Sequence, residues 1–468
     1  MRRGQEMGFA LRDYHEQTKH SASSLAQSAH RLDWSNKPLP YKIYTSLEGT
    51  PLPDDLARLC RYSNGVLRWR QGPSGERYGF RAAPCTGALY HVELYLATAE
   101  RSDLAAGLYH YGAHDHRLRQ LRRGDLSGAL LTASGAFAPL VSAPLILVLT
   151  STFWRNAWKY RERAYRHAFW DSGVILANLL ALPSETAGSA SIVMGFVDDD
   201  VNRLVGADGT REAAVALVAI GSGAASSRET PLFDELALRT EPLSPREVRY
   251  RAIEEAHRAS SLASADEVLA WRARAGAISE TPAAPLAGPP IEEVIRKRRS
   301  ARRFSYGTIM REQLERAIAV ACEPVPGDAF GADLVEPFVI VNAVEGLAPG
   351  TYGPGLMPIK QGDFRRAAGE LALGQELGAS AAADVYFLSD LDAVLGRFGD
   401  RGYRLAQIAG GIAGGRLELA ATAMGLGTTG LTFFDDEVTR FFEPAAAGRQ
   451  VMYLAAIGQR AARGKQGA

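Results

Sequence analysis

The sequence predicts an α+β protein in which one fold, a sheet flanked by helices, occurs twice in the chain. The first indication is that Y-R-E-R-A-Y-R at Tyr160–Arg166 recurs as F-G-D-R-G-Y-R at Phe398–Arg404, an offset of 238 residues. In the same or nearly the same register, R-G-D ending at position 125 recurs as Q-G-D, and V-A-I-G ending at position 221 recurs as A-A-I-G. Three such matches indicate an internal duplication. Two copies of a fold in one chain can build what a homodimer builds from two chains.

The second indication is that both halves repeat the same order of helical and strand-like segments. In half one we expect a strand at 91–97, a strand or turn at 107–112, a helix at 165–182 and a strand at 215–221. In half two we expect a strand at 338–342, a Gly-rich turn near position 350, a helix at 403–424 and a strand at 451–458.

The length of 468 residues accommodates two or three domains. We expect an N-terminal extension at 1–42, half one at 43–221, a connector at 222–289, half two at 290–460 and a tail at 461–468. The extension is polar, so we expect it to lie over the surface or to be partly mobile. The connector combines a segment that is helical by composition, Ser244 to Ala275, with a stiff Pro-rich linker, Pro282 to Pro290.

Composition excludes several classes of function. The formal net charge is +1, which gives no global attraction to nucleic acid or to an anionic membrane. Cys60, Cys85 and Cys322 are widely spaced, so neither a disulfide framework nor a metal site is indicated. The uncharged stretch from Leu126 to Trp154 contains interior prolines and is interpreted as a helix, a break and a buried strand rather than a membrane span. A cytoplasmic location is expected.

Half two opens with a strongly basic segment. The two prolines and two glutamates before it predict the start of a helix near Ile291. Six of the eight residues that follow, from Arg296 to Arg303, are basic. Cations at a helix end complement the helix dipole, but that explains only two or three of them. Guanidinium groups around a hydroxyl suit a phosphate monoester, so a phosphate site is weighed equally against a solvated helix end. The residues concerned are Arg298, Arg299, Ser300 and Arg302.

Glycines are concentrated in the predicted long helix of half two and in the turn that follows it. Gly410, Gly411, Gly414 and Gly415 each cost on the order of 1 kcal/mol relative to alanine, which predicts close packing against another helix. The run from Gly425 to Gly430 leaves backbone N–H groups that can approach a flat ring, although many such runs are only turns.

Half one offers a tight turn and a Lys–Tyr pair. The turn at Pro84–Gly87 presents small side chains and N–H donors, and a plain turn is its simplest interpretation. Lys159 and Tyr160 could act as a base and a proton donor. The simpler alternative is an amphipathic surface helix with extended Arg and Lys side chains.

Together these segments resemble the nitroreductase superfamily, and within it the tandem form of the SagB/ThcOx-type dehydrogenases. Y-H-E-Q-T-K-H-S (14–21) and L-D-W (32–34) resemble the N-terminal motif of that group. P-C-T-G-A-L-Y-H-V-E-L-Y resembles its P-S-A-G-A-L-Y-P-x-E-L-Y segment, W-K-Y its K-Y pair, and R-R-S-A-R-R-F the flavin-phosphate motif. The resemblance implies a nitroreductase-like fold duplicated as an intramolecular pseudo-dimer, with further oligomerisation possible.

The resemblance also implies FMN bound between the halves. Arg298, Arg299, Ser300 and Arg302 would hold its phosphate and ribityl chain, and Arg460 would add a phosphate contact. The ring would lie near Gly425, Gly427, Thr428, Thr429 and Gly430, with Pro84, Cys85, Thr86 and Gly87 crossing over from half one. Lys159 and Tyr160 match the catalytic pair. Cys85 could be redox-active or merely a small turn residue, and His91 stands where the group usually has proline.

Half one has no R-R-S counterpart and half two has no P-S-A-G counterpart, so we expect one FMN per chain. The leading hypothesis is oxidation of a thiazoline or oxazoline in a peptide-derived substrate, with a cyclodehydratase as partner. An NAD(P)H-dependent reductase of nitro compounds or quinones is the alternative. A non-catalytic scaffold that binds a peptide or a partner is the third possibility.

Overall fold

A computed structural model describes residues 9–72, 75–182, 190–223, 233–275, 288–331 and 334–461. Within these ranges the chain forms two six-stranded antiparallel sheets, each packed against helices. The predicted linker at 282–290 lies outside the described residues except for its last three positions.

The elements of half one precede and surround its sheet. Its helices are α1 (Ala10–Gln17), α2 (Ala22–Ala26), α3 (Asp54–Asn64), α4 (Ser127–Ala133), α5 (Ala138–Ser142), α6 (Phe153–Tyr160), α7 (Ala164–Ala181) and α8 (Asp198–Val205). Its strands are β1 (Val66–Gln71), β2 (Arg77–Arg81), β3 (Val92–Thr98), β4 (Gly107–Gly112), β5 (Arg117–Arg123), β6 (Leu145–Thr152), β7 (Ala190–Val193) and β8 (Glu212–Ile220).

The connector and half two follow. The helices are α9 (Arg251–Ala259), α10 (Ala265–Arg272), α11 (Ile291–Lys297), α12 (Arg311–Ala321), α13 (Arg365–Leu371), α14 (Glu376–Ser380), α15 (Leu391–Phe398), α16 (Arg401–Ala423) and α17 (Asp435–Phe441). The strands are β9 (Ile309–Met310), β10 (Glu336–Val341), β11 (Val344–Glu345), β12 (Gly350–Gly353), β13 (Met357–Gln361), β14 (Ala383–Ser389), β15 (Gly427–Gly430) and β16 (Gln450–Gly458).

The two sheets have the same topology, which confirms the predicted duplication. Their strand orders are β5-β4-β3-β6-β8-β7 and β13-β12-β10-β14-β16-β15. Equivalent strands therefore occupy equivalent places, with β7 and β15 as matching edge strands. In the described residues a separate hairpin, β1–β2, precedes the first sheet.

Most predicted elements are observed within a few residues of their expected bounds. The strand at 91–97 is β3, the segment at 107–112 is strand β4, and the two long helices are α7 and α16. The Gly-rich segment near position 350 is strand β12 rather than a turn, because it pairs with both β10 and β13. The connector helix is interrupted between Ala259 and Ala265. No described helix has both the length and the hydropathy that crossing a membrane requires.

The long helices α7 and α16 pack against each other, and glycines set how closely they approach. A Cβ atom at Gly411 would overlap the carbonyl oxygen of Trp170, and one at Gly415 would lie 2.7 Å from the Cβ of Ala177. The predicted helix–helix packing is confirmed for these two glycines. Gly410 and Gly414 instead pack against strand β16, so the second pair serves a helix–sheet contact.

Helix α1 is packed more deeply than a surface extension would be. Its Leu11 and His15 are fully buried. The carbonyl of His15 and the hydroxyl of Thr18 both accept hydrogen bonds from Arg166 of α7. Arg404 of α16 makes the same two bonds to His257 and Ser260 at the end of α9.

Helices α1 and α9 are therefore equivalent elements, and each precedes the sheet of one repeat. The duplicated unit reaches into the segments that composition marks as extension and connector. Composition hides this because both segments are polar overall and bury only a few side chains each.

Candidate active site between the halves

A cavity of about 1430 Å³ opens where the two halves meet. Half one lines it with hairpin β1–β2, the turn at Pro84–Gly87 and the end of helix α6. Half two lines it with the loop from Arg298 to Arg303, the segment from Thr429 to Phe433, and Arg460. Two regions that are far apart in sequence thus face one space.

The arginine loop begins where α11 ends at Lys297. The amide of Ala301 donates to the carbonyl of Thr428 at 2.7 Å, which attaches the loop to edge strand β15. Arg298 is buried and donates through Nη1 to Glu418 of α16 at 3.0 Å, while its Nε has no hydrogen-bond partner among the described residues. Burial raises the pKa of Glu418 although Arg298 opposes the shift.

Arg299, Arg302, Arg303 and Arg460 line the cavity together with Ser300. Arg299 donates through Nη1 to the carbonyls of Arg296 and Lys297, and Arg460 donates through Nη2 to the carbonyl of Arg299. These bonds use only part of the donor capacity of each guanidinium. The loop therefore combines a hydroxyl with several cations, which is the donor set of a phosphate site.

The turn from half one is held by a single carboxylate. Asp171 of α7 accepts from the amide of Thr86 at 3.0 Å, from its hydroxyl at 2.8 Å and from the Cys85 thiol at 3.1 Å. Gly87 has a φ of 66°, and a Cβ there would lie 3.0 Å from the hydroxyl of Tyr160. Glycine is required here by the backbone conformation and by the close approach of the tyrosine.

Cys85 and His91 share Asp171. His91 is fully buried, with Nε2 2.7 Å from Asp171 and Nδ1 2.9 Å from Ser151. Burial and Asp171 raise the pKa of the Cys85 thiol well above its usual value. A protonated thiol is a poor nucleophile, so the geometry favours the turn-residue interpretation of Cys85. Cys85, His91 and Asp171 have the residue types of a metal cluster, and their mutual hydrogen bonds explain the grouping without an ion.

Helix α6 presents Lys159 and Tyr160 to the cavity. Lys159 is exposed, with Nζ 5.2 Å from the centre of the Tyr160 ring. Burial, followed by the nearby Asp171 and Cys85, raises the pKa of Tyr160 well above its usual value. Tyr160 is consequently a neutral phenol at ordinary pH and can donate a hydrogen bond.

The rest of α6 is buried, so the alternative of an amphipathic surface helix is wrong. Its Arg155 is fully buried and pairs with Glu93 of β3, which His110 also contacts at 3.0 Å. Although burial opposes the shift, Arg155 and His110 hold the pKa of Glu93 well below its usual range. This ion pair anchors the helix that carries Lys159 and Tyr160.

Most of the candidate residues line the cavity, and three do not. Lining residues among them are Pro84, Cys85, Thr86, Gly87, Lys159, Tyr160, Arg298, Arg299, Ser300, Arg302, Thr429, Gly430 and Arg460. Gly425 lies at the end of α16 with a φ of 80°, and Gly427 and Thr428 form the start of β15 behind the cavity wall. These three positions support the wall and do not face the space.

Several lining residues escape recognition in the sequence. Asp171 and Tyr453 sit inside a helix and a strand whose patterns indicate only burial. Arg68 and Arg70 belong to the R-W-R alternation of β1, which is visible in the sequence but carries no motif. Only the fold brings these four side chains to the arginine loop.

The equivalent position at the other sheet edge is closed. The amide of Ile192 in β7 donates to the carbonyl of Pro326, and the carbonyl of Ile192 accepts from the amide of Asp328. A segment of half two thus covers the free edge of β7, as the arginine loop covers the free edge of β15. The Asp328 carboxylate accepts from the amides of Met194 and Gly195 at 2.8 Å, and Arg272 contacts it at 3.3 Å. Among the described residues, Pro326, Asp328 and Arg272 therefore occupy at β7 the place that the arginine loop occupies at β15.

Comparison with known proteins agrees with this architecture. Residues 295–459 match the model of the nitroreductase family. A crystal structure assigned as a nitroreductase from Anabaena variabilis superposes with a TM-score of 0.78 at 26% identity, over 97% of this chain and 100% of that one. The chain thus has a nitroreductase-like fold along its length, and half two contains the segment that matches the nitroreductase family model.

Two curated relatives match shorter parts. A protein of Methanocaldococcus jannaschii assigned as a nitroreductase is 22% identical over 140 residues, which is 30% of this chain and 70% of the relative. The trifolitoxin-processing protein TfxB of Rhizobium leguminosarum bv. trifolii is 34% identical over 103 residues, 21% of this chain. That match spans only 28% of TfxB.

Proposed function

We propose that this protein is an FMN-dependent oxidoreductase that dehydrogenates a thiazoline or oxazoline ring in a peptide-derived substrate to the corresponding azole. One observation carries the proposal. Lys159 and Tyr160 of half one line the same cavity as the Arg298–Arg303 loop of half two. The proposed proton acceptor and the proposed phosphate site thus share one space.

The residues present fit FMN. Arg299, Ser300 and Arg302 offer the cations and the hydroxyl that a phosphate monoester needs. The orphaned Nε of the buried Arg298 is a donor that a ligand oxygen would satisfy. When bound, FMN would supply the two-electron acceptor for the reaction.

Lys159 and Tyr160 of α6 would have different roles in proton transfer. Tyr160 stays protonated because its pKa is raised, so it would hold the ring heteroatom or amide of the substrate by donating a hydrogen bond. The amine of Lys159 would take the proton from the ring carbon. Loss of that proton and of a hydride from the neighbouring ring carbon to the two-electron acceptor leaves an aromatic ring, which makes the step favourable.

The class of substrate rests on one relative and on the resemblance of the motifs. The name of TfxB describes a protein that processes trifolitoxin, which supports a peptide-derived substrate for this chain. An azoline in a peptide arises by cyclodehydration of a Cys, Ser or Thr residue. A cyclodehydratase is therefore the proposed partner.

The test is an anaerobic titration of the FMN-loaded protein with a thiazoline peptide. We expect the flavin absorbance to bleach with the wild type and with Lys297→Ala, an exposed lysine on α11 outside the cavity. Lys159→Ala should lower the bleaching rate at least 100-fold, and Lys159→Arg should not restore it. An unchanged rate in Lys159→Ala would overturn the proposed role.

A second function is favoured by the charge of the cavity. The described residues contribute nine cationic side chains to its lining and two carboxylates, Asp171 and Glu418. Such a lining also suits the phosphates of NAD(P)H, as in a reductase of nitro compounds or quinones. Bleaching by NADPH and not by the thiazoline peptide, with Lys159→Ala indifferent, would favour this function. A protein that stays colourless after FMN is added would favour the scaffold.

A further inference from the structure

We propose that Arg68 and Arg70 of hairpin β1–β2 form a second anion site in this cavity, which receives a carboxylate or phosphate group of the substrate. The proposal rests on the proposed function in that the first anion site, the Arg298–Arg303 loop, is taken to hold the FMN phosphate. It goes further by assigning a negative charge to the second ligand and by naming the two residues that would bind it.

The hairpin presents these two arginines side by side. They are two positions apart on β1 and so share a face, and Arg68 pairs across the hairpin with Phe80. Each guanidinium carbon lies 5.6 Å from the centre of the Phe80 ring. All three residues line the cavity. The ring limits where the guanidinium groups can go and leaves their N–H edges for a ligand.

Neither arginine is neutralised within the described part of the chain. No carboxylate there forms an ion pair or hydrogen bond with Arg68 or Arg70. The two carboxylates of the lining are already engaged, Asp171 with the Thr86 turn and Glu418 with Arg298. Partial burial, followed by repulsion from Arg299, Arg298 and Arg70, lowers the pKa of Arg68 to about 10. An anion between them would relieve that repulsion.

The charge of one FMN does not exhaust the cavity. A phosphate monoester brings about two negative charges at neutral pH, against nine cationic side chains and two carboxylates. Arg299, Arg302, Arg303 and Arg460 in half two suffice for that phosphate. The hairpin belongs to half one, so its arginines approach from the opposite side of the interface. The surplus cations point to a second anionic ligand.

Two sources of the anion share this chemistry. One is a carboxylate on the azoline substrate, and the other is the phosphate groups of a reduced nicotinamide dinucleotide. Both would place their anion at the hairpin while the reacting ring faces Lys159. The arms of the experiment separate them.

The experiment compares Arg68→Gln/Arg70→Gln with Arg77→Gln. Arg77 lies on the other face of the same hairpin, 4.5 Å from the Trp69 ring, and does not line the cavity. Calorimetric titration of FMN-loaded protein with inorganic pyrophosphate reads the site without any chemistry. We expect at least tenfold weaker pyrophosphate binding in the double variant, wild-type binding in Arg77→Gln, and FMN affinity within threefold of wild type in both.

Turnover then identifies the source of the anion. If it is the azoline substrate, the double variant raises KM for a thiazoline carboxylate and not for its amide. If it is the dinucleotide, the variant raises KM for both NADH and NADPH, which share the pyrophosphate bridge, and leaves KM for the thiazoline carboxylate unchanged. Unchanged pyrophosphate binding would overturn the proposal, and so would an FMN affinity that falls in parallel, since the arginines would then belong to the first anion site. Failure of the proposed function appears separately, as no turnover of either azoline by the wild type.

Discussion

Asp198 and Asp435 occupy equivalent positions at the first residues of α8 and α17, and each binds two arginines from the opposite half. Asp435 accepts from Arg163 at 2.9 Å and from Arg166 at 2.7 Å. All of these side chains are buried. The ion pairs join the start of α7 to the start of α17 across the centre of the molecule.

The reciprocal contact has the same form. Asp198 accepts from Arg401 at 2.5 Å and from Arg404 at 2.6 Å. Such an arrangement, in which each copy gives the other the same contact, is that of an isologous dimer interface. The halves are therefore held as a pseudo-dimer, and the cavity depends on that interface.

Breaking one of these clusters should destabilise the protein strongly. Asp435→Asn leaves two buried guanidinium groups without their counter-ion, which typically costs about 3–5 kcal/mol. The free energy of unfolding from urea denaturation measures this. Asp436→Asn, one residue further along and exposed, removes only a surface pair with Lys19 and should cost at most about 1 kcal/mol. Equal losses in the two variants would contradict the structural role of the cluster.

The same clusters predict acid sensitivity. Although burial opposes the shift, Arg401 and Arg404 lower the pKa of Asp198 to about 2. A folded-state pKa below the unfolded value means that this stabilisation is complete above pH about 4 and is lost as pH falls towards 2. Thermal melting should show Tm falling more steeply over this window in the wild type than in Asp198→Asn. The neighbouring exposed Asp199→Asn should keep the wild-type slope, and parallel slopes for all three proteins would refute the assignment.

The crossing of α7 and α16 should be intolerant of a methyl group. Gly411→Ala would push a Cβ into the carbonyl of Trp170, so we expect a loss of about 1–3 kcal/mol despite the better helix propensity of alanine. Gly396 in α15 has no atom within 4 Å of its Cβ position, so Gly396→Ala should be neutral or stabilising by up to about 1 kcal/mol. Chemical denaturation of both variants measures the difference, and a stable Gly411→Ala would show that the helices can separate at no cost.

We expect one FMN per chain. The edge of β15 presents the arginine loop, whereas the edge of β7 is covered by Pro326–Asp328 and Arg272. Flavin absorbance after denaturation, divided by protein concentration, should approach one equivalent. Arg299→Gln/Arg302→Gln should weaken FMN binding at least tenfold, while Arg366→Gln, an exposed residue on α13 outside the cavity, should not. Two equivalents of flavin would mean that the closed edge opens.

Much of the fold is legible in the sequence because it depends on local patterns. The alternation at 91–97 and the long apolar helices identify β3, α7 and α16, and the 238-residue offset identifies the duplication. The roles of α1 and α9 cannot be predicted from local sequence patterns. Each buries only a few residues, and their equivalence lies in hydrogen bonds to Arg166 and Arg404 from distant parts of the chain.

The candidate site could likewise be predicted from the sequence only in part. Residue types in short motifs pointed to the arginine loop, the turn at Pro84–Gly87 and the Lys159–Tyr160 pair. Asp171, which holds that turn, and Arg68, which faces the loop, carry no motif because their partners are remote in sequence. Local sequence patterns also could not show which of the candidate glycines line the cavity.

By itself the sequence determined that the fold is duplicated and that each half retains a different set of chemical groups, since both are properties of local segments. Only the tertiary structure decided that these groups meet in one cavity and that Asp328 closes the equivalent edge. The physical reason is that both outcomes depend on how the two halves pack, and that packing is set by long-range contacts such as the paired clusters of Asp198 and Asp435.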